Sequence, residues 1–320
     1  MKHLGTVCKK IAISAVQTLF ILIGITLITF FILHISPVNP AEIYLMGNGG
    51  NVGQISQEAI EEQEKKMGLD KPFIIQYANW LNNVAHGDLG TSMTTSKPVK
   101  DEIINHAGPT VALTCVSLII TVLISIPLGI YCAVNKDRAL DNFARIFSFL
   151  GISMPSFFIS LLLLWIFALK FQVLPVIAQR SPKGMILPAA VLVIQCSSKY
   201  IRQVRAVILE ELNKEYVMGA VARGISERDI LFKHVLKNAA VPILTWCGTY
   251  FGIMLGGATV IETIFSWDGM GKLAVESVMR LDYYMIQGFV LWTAVIFLIV
   301  NFAVDVASDI IDPRLKRGRV

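Results

Sequence analysis

Charge is what this sequence has least of: 16% of its 320 residues are Asp, Glu, Lys or Arg, against 54% that are apolar. A mean hydropathy of +0.62 goes with that imbalance. A water-soluble domain has no interior large enough for so much apolar matter, so that class is excluded. Each bilayer-crossing helix takes ~20 apolar residues, and six of them would absorb about 120. The chain reads as a polytopic membrane protein. Its net charge of +5 then bears on topology rather than on nucleic-acid affinity.

Other absences narrow the chemistry. The five cysteines (Cys8, Cys115, Cys132, Cys196, Cys247) form no CxxC pair, and all but Cys8 lie in or beside apolar runs. They are expected as buried free thiols rather than as disulfides or a metal site. No G-x-x-x-x-G-K-[ST] loop is present to cradle phosphates. The histidines (His3, His34, His86, His106, His234) all fall outside the apolar runs, and Gly151-Ile152-Ser153-Met154-Pro155 is not G-x-S-x-G. An intramembrane hydrolase therefore lacks its nucleophile and base, and no catalytic residue is assigned. Within the spans no His, Cys or carboxylate cluster has metal-ligand spacing, so no metal site is assigned. Internal repeats and midplane charges, the marks of a secondary transporter, are missing as well.

What is present is a series of apolar runs, over residues 11–33, 110–134, 146–171, 239–261 and 286–307. The first exceeds the ~7–15 apolar residues of a signal peptide and has no small-residue cleavage site, so it is read as an uncleaved span. A further run from Ile186 lasts only to Ile194 before Gln195, Ser197, Ser198 and Lys199 interrupt it. Counting it as a span over 186–207 puts 18 of the 28 Lys and Arg on the N-terminal side; leaving it out puts only 8 there. Loops rich in Lys and Arg stay in the cytoplasm, so six spans with both termini inside are expected. The fourth helix is then polar for a span, and its polar residues should face other helices or a water-filled path. Ser153, Gln195, Ser198 and Thr249 are the candidate path residues. Gly248, Gly252 and Gly256 fall on one stripe of the fifth span and should let another helix approach closely, with a deformable gate as the second reading. Asp305 and Asp309 sit four apart near the end of the last span. They read as an interfacial patch facing Arg314 or a partner subunit, or else as a proton relay.

The domain layout expected is a terminus and first span over 1–33, an external insertion over 34–109, a five-helix core over 110–309 containing a cytoplasmic loop over 199–238, and a cytoplasmic tail over 310–320. The insertion carries nine Asp or Glu, five Lys and no Arg. Phe73, Ile74, Ile75, Tyr77, Trp80 and Leu81 could pack a small core there, and a short helix should run from the N-cap Ser56 to the stop Gly68. The insertion reads as a docking surface or as a spacer.

The 199–238 loop is long for a connection, and long patterned loops usually carry function. Ile201, Val204, Ile208 and Leu212 recur at helical steps, so the fourth helix should continue into it. A second short helix is expected over 214–222, with Tyr216, Val217 and Ala220 on one face and Gly224 stopping it in the left-handed conformation. Ser226 with Asp229 forms a capping box for a third helix. A short helix held crosswise between two long ones suits a surface gripped by a soluble subunit; an amphipathic hairpin on lipid headgroups is the alternative.

Glu215-Tyr216-Val217, Ala220, Ala222, Gly224, Ser226, Ile230, His234, Leu236 and Asn238 resemble the "EAA" segment of permease subunits of binding-protein-dependent ABC importers. Gly68-Leu69-Asp70-Lys71-Pro72, Gly87-Asp88-Leu89-Gly90, Ser153-Met154-Pro155, Glu262-Thr263-Ile264-Phe265-Ser266-Trp267, Asp282-Tyr283 with Gln287-Gly288, and Asp312-Pro313-Arg314 are similar to the dipeptide/oligopeptide/nickel branch. Asp268, Leu281 and Tyr284 depart from it, standing where that branch has Pro, Arg and Pro; local loop geometry and partner fit are what these put in question. The resemblance implies an all-α type I importer permease in the cell membrane, transporting but not catalysing. It implies a homologous second permease, two cytoplasmic ATPases that hold the ATP and magnesium, and an extracellular solute-binding protein. Glu215, Tyr216, Ala220, Ala222, Gly224 and Ser226 would form the helix that couples to the ATPase. The short link over 173–185 looks more like the nickel-type members, so nickel or a metal chelate is the expected cargo, with di- or oligopeptides as the alternative. A channel would differ in working without ATP.

Overall fold

The computed structural model describes residues 2–47 and 56–311. Regular structure among those residues is helical, apart from one isolated bridge between Thr91 and Pro98. In chain order the helices are α1 (Lys2–Ile35), α2 (Pro40–Gly47), α3 (Gln57–Met67), α4 (Phe73–Ala85), α5 (Val99–Val134), α6 (Ala139–Ser153), α7 (Ser156–Leu163), α8 (Pro182–Leu212), α9 (Glu215–Ala222), α10 (Glu227–Asp229), α11 (Leu236–Phe265), α12 (Met270–Met279) and α13 (Tyr283–Ile311). Two π-helical stretches continue them, Leu164–Lys170 after α7 and Ile230–Val235 between α10 and α11. Five helices are long and apolar enough to cross a membrane, and the bent pair 139–153 with 156–170 makes a sixth when counted as one span.

The run expected as a span over 146–171 is bent inside that pair. Its two halves meet at 104°. Pro155 has no N–H for the ladder, and its ring drives Met154 out of the helical region to φ −87°, ψ 127°. Hydropathy counts apolar residues without registering their direction, so the run looked continuous.

The chain divides into two compact units, Met1–Gly108 with Leu273–Leu298, and Pro109–Lys272 with Ile299–Val320. In the first, α3 is bounded as its sequence dictates: the Ser56 hydroxyl accepts from Ala59 N–H, and Gly68 ends the helix at φ 69°. The expected small core of the 34–109 segment forms differently. Trp80 is buried, but Ile74 is 76% exposed and Ile75 46%. Phe73, Tyr77 and Trp80 pack instead around Phe30 of α1, with ring centroids 5.5, 5.5 and 6.2 Å away. The Tyr77 hydroxyl lies 2.9 Å from the Thr26 hydroxyl and donates to the Ile23 carbonyl. The segment thus takes its apolar support from the first span. At the start of α13, Asp282 receives the Ser92 hydroxyl at 2.5 Å, the Thr94 hydroxyl at 3.0 Å and the N–H of Met285 at 3.2 Å.

In the second unit, α6 is fixed to α8 by a buried ion pair. Arg205 donates through Nε and Nη2 to the two oxygens of Asp141 at 2.7 and 2.9 Å, and Asp137 N–H adds a third bond. Small residues let the helices close up around it. A Cβ on Gly129 would lie 2.8 Å from Val204, and one on Gly151 would overlap the Ser198 hydroxyl. Of the glycine stripe on α11, Gly248 does sit against another helix, 2.9 Å from Val304 by its would-be Cβ, but Gly256 faces open space. The four described cysteines are free thiols, Cys132 and Cys196 buried; the side chain of Cys8 lies outside the described set.

Glu262 is fully buried at the far end of α11. Its Oε1 accepts the Thr110 hydroxyl at 2.6 Å, and its Oε2 accepts Gly271 N–H at 2.7 Å and Lys272 N–H at 3.1 Å. Gly269 has to be glycine here, because a Cβ would stand 2.5 Å from the carboxylate. Glu262→Ala would strand one hydroxyl and two N–H groups in the interior, a cost of roughly 3 kcal/mol. The thermal unfolding midpoint of the purified protein in detergent is expected to fall by several degrees, and an unchanged midpoint would refute this account of Glu262.

Candidate functional site

The expected three-part loop is present, and local chemistry explains each part. α8 runs to Leu212, with Ile201, Val204 and Ile208 buried along it. Glu211, also buried, receives Lys214 Nζ and, at 2.8 Å, the Tyr216 hydroxyl. This carboxylate holds the Lys214 ammonium above the usual lysine range, and burial pushes the Tyr216 hydroxyl up. The start of α9 is thereby tied to the end of α8.

α9 has two faces. Val217 and Ala220 are buried in one core with Ile208, Ile230 and Val235. The opposite face carries Glu215, Gly219 and Ala222 in the open, together with Met218 at 61% and Val221 at 58% exposure. The helix ends in a Schellman turn: Ile225 N–H donates to the Ala220 carbonyl at 3.2 Å and Gly224 N–H to the Val221 carbonyl at 2.9 Å, with Gly224 at φ 73°. A Cβ at Gly224 would meet nothing within 4 Å, so the demand for glycine there is one of backbone alone. Ser226 then caps the next segment, its hydroxyl accepting Asp229 N–H at 3.2 Å and donating to the Asp229 carboxylate at 3.0 Å in place of the expected backbone half of the box. The following π-helical stretch leads without a break into α11.

Of the residues expected at a coupling surface, Glu215, Ala222, Gly224 and Ser226 are exposed, Tyr216 is half-buried and Ala220 is buried. Ala220 packs inward and holds the helix down, and the half-buried Tyr216 is tied to Glu211. Met218 and Val221 were missed because the motif pattern leaves them unspecified, yet their helical offset from Val217 and Ala220 already places them outside.

The expected path residues separate. Gln195, half-buried on α8, donates through Nε2 to the Met154 carbonyl at 3.4 Å, a carbonyl freed by the break before Pro155. Ser153 is exposed at the same break. Ser198 is fully buried, bonds the Ile194 carbonyl at 2.7 Å and faces Gly151, so it belongs to the contact between α6 and α8. Thr249 is exposed on α11 and bonds back to the Thr245 carbonyl. A row of hydroxyls on α5 went unread: Thr114, Ser117, Thr121 and Ser125 are completely buried and have no hydrogen-bond partner. Their steps of three and four along an apolar run were the available signal.

The departures from the family pattern have local partners. Asp268 pairs with Arg180 at 2.8 Å. Leu281 adopts φ 57°, and Tyr284 closes over Gly90, whose Cβ would stand 3.1 Å from its ring. Asp305 is exposed and Asp309 half-buried, while Arg314, their expected partner, and the Asp312-Pro313-Arg314 motif lie outside the described residues.

Comparison with known proteins gives a consistent set of relatives. Residues 125–317 match the family described as "Binding-protein-dependent transport system inner membrane component", and residues 8–114 match its N-terminal counterpart. The dipeptide transport system permease protein DppB of Alkalihalophilus pseudofirmus is 34% identical over 92% of this chain and 96% of its own. The glutathione transport system permease protein GsiC of Escherichia coli K12 is 33% identical over 98% of this chain and 99% of its own. Among solved structures, an inward-facing MetNI methionine ABC transporter superposes with a TM-score of 0.53 at 16% identity, over 66% of this chain and 96% of the matched one.

Removing the cap at Ser226 isolates one piece of this geometry. Ser226→Ala is expected to cost the 227–235 segment about 1 kcal/mol. Amide exchange at Asp229 and Ile230 should quicken roughly five-fold by mass spectrometry, with exchange in α8 unchanged.

Proposed function

The chain belongs to the family of binding-protein-dependent transport system inner membrane components, and from that premise we propose that it is the permease subunit through which an ATP-driven importer passes short peptides. It is a multi-pass inner membrane protein with the type I ABC importer permease fold. The observation that carries the mechanical half of the reading is the outer face of α9. Met218 and Val221 are apolar, exposed and set on a helix whose other face is locked by Glu211, Val217 and Ala220. Such a face fits a groove on a soluble partner. The partners proposed are a homologous second permease, two cytoplasmic ATPases and an extracellular solute-binding protein; ATP and magnesium stay on the ATPases. The excess of Lys and Arg in 199–238 and at both ends supports a cytoplasmic place for them and an external one for 34–109.

For the cargo, the relatives displace the nickel reading. They are named for dipeptide and glutathione transport, and on the side of nickel stands only the brevity of the 173–185 link. A zwitterionic peptide suits a route lined by neutral polar groups such as Gln195 and Ser153, since it needs hydrogen bonds and no fixed counter-charge.

Two measurements test this. In the reconstituted complex with its binding protein, di- and tripeptides should stimulate ATP hydrolysis while Ni²⁺ should not. Gly224→Val forces a β-branched residue to positive φ at a cost of at least ~1 kcal/mol, so it should abolish the stimulation and reduce ATPase co-purification with the permease still inserted. Full stimulation in Gly224→Val would remove α9 as the coupling element. For orientation, a single cysteine at position 57 (Gln57→Cys in a cysteine-free chain) should react with membrane-impermeant maleimide in intact cells, and one at 221 (Val221→Cys) only after permeabilisation; the reverse pattern would invert the topology.

A further inference from the structure

The 13 residues of α4 carry no charge, while the 11 of α3 carry six. Both helices belong to the segment 34–109, so the contrast is local. At about 100° of turn per residue, α4 has three sectors. Phe73, Tyr77 and Trp80 share one stripe, Ile74, Ala78, Leu81 and Ala85 fill the flank next to Tyr77, and Gln76, Asn79 and Asn83 fill the flank next to Trp80. The stripe packs on Phe30 of α1. The apolar flank is left open: Ile74 is 76% exposed, Ala78 and Ala85 are exposed, and Leu81 is half-buried.

The contact with α1 fixes the depth of α4. Phe73 and Trp80 both reach the ring of Phe30, so α4 crosses the span at that level. The apolar run of α1 opens at Ile11, directly after Lys9 and Lys10. Hydrocarbon takes ~20 residues, which puts Phe30 at its boundary on the side of 34–109. The two flanks then point opposite ways. Tyr77 reaches inward, its hydroxyl on the Thr26 hydroxyl and the Ile23 carbonyl, which lie about 6 and 10 Å deeper along α1 than Phe30. Gln76, Asn79 and Asn83 instead line a cavity with Leu33, His34 and Ser36, where α1 leaves the apolar run. The apolar flank lies on the side of Tyr77, toward the hydrocarbon.

We propose that α4 is a membrane-surface helix, lying across the first span at the acyl-chain boundary of the leaflet on the side of 34–109, with Ile74, Ala78, Leu81 and Ala85 against lipid and its carboxamides turned to water. An amphipathic helix gains by burying an apolar flank at that depth while its polar groups stay hydrated. The surface is continuous with that of the span itself. Phe31 packs on Phe73 with ring centroids 5.9 Å apart and is still 52% exposed, and Ile28 and Ile32 are 61% and 63% exposed. The Tyr77 hydroxyl, the one polar group of the stripe that points inward, is already satisfied by α1 and needs no water there. The segment 34–109 is thereby held to the bilayer at its middle as well as where the chain enters and leaves the membrane. This goes beyond the transport reading and holds for any cargo.

The test uses the assembled complex, cysteine-free, in nanodiscs of phosphatidylethanolamine and phosphatidylglycerol. Single nitroxide labels are attached through Ile74→Cys or Ala78→Cys on the apolar flank, and through Asn79→Cys or Gln57→Cys as references in water; all four positions are exposed, so the fold is kept. Electron paramagnetic resonance then reads collisions of each label with O₂, which concentrates in lipid, and with chromium(III) oxalate, which stays in water. The ratio of O₂ to chromium oxalate collisions at 74 and 78 should exceed that at 79 and 57 by roughly five-fold or more. Equal ratios at all four positions would mean that the flank faces water, and would overturn the proposal. Low collision rates with both reagents at 74 and 78 would mean that another protein surface covers the flank, and would overturn it as well.

Discussion

The structure depends on carboxylates buried at the ends of its helices. In a membrane the backbone polar groups of a helix end have no water to turn to, so the protein itself must supply their partners. Glu262 receives the N–H groups of the first turn of α12, Asp282 stands as N-cap of α13 and receives Met285 N–H, and Asp141 receives Asp137 N–H beside α6. Each carboxylate also holds something distant in sequence: Thr110, Ser92 and Arg205 respectively. A charge in such a place is tolerable because it is fully hydrogen-bonded, and an anion at a helix N-terminus gains from the helix dipole. Capping and tertiary fixing are therefore done by the same atoms, and loss of one side chain would loosen a helix end and a helix contact together.

The sequence was legible where periodicity and turn chemistry act alone. Apolar runs located the spans, Ser56 and Gly68 bounded α3, and Gly224 and Ser226 placed the two turns of the loop after α8. What stayed hidden depended on direction or on long-range pairing. The bend at Met154–Pro155 lies inside an unbroken apolar run. Ile74 and Ile75 have the same composition as core residues, but α4 presents Phe73, Tyr77 and Trp80 to α1, and a helix has one inward face. Glu262 and Asp282 sit in segments quoted for their family resemblance; nothing local reveals that each closes over residues more than 150 positions away.

The hydroxyl row on α5 shows a different use of polarity. Thr114, Ser117, Thr121 and Ser125 are small and fully buried, on the helix whose Gly129 lies against Val204. With no partner found for these hydroxyls, the seam gains less from hydrogen bonding than from van der Waals contact. It is held by fit, whereas the helix ends are held by specific bonds. Gly151 against Ser198 repeats the pattern on α6 and α8.

These two kinds of contact divide the mechanical labour of the fold. The spans meet closely at small side chains such as Gly129 and Gly151, and helix ends are pinned by carboxylates. Glu211 pins α9 to α8 through Lys214 and Tyr216. α8 has 31 residues, which at the rise of an α-helix is about 46 Å of rigid rod. The same rod carries Arg205, which clamps the Asp141 end of α6. The bend at Pro155 lies beyond that clamp on the same helix pair, and Gln195 of α8 touches the freed Met154 carbonyl there. Bonded contacts thus join α9 through α8 to the bent pair 139–170.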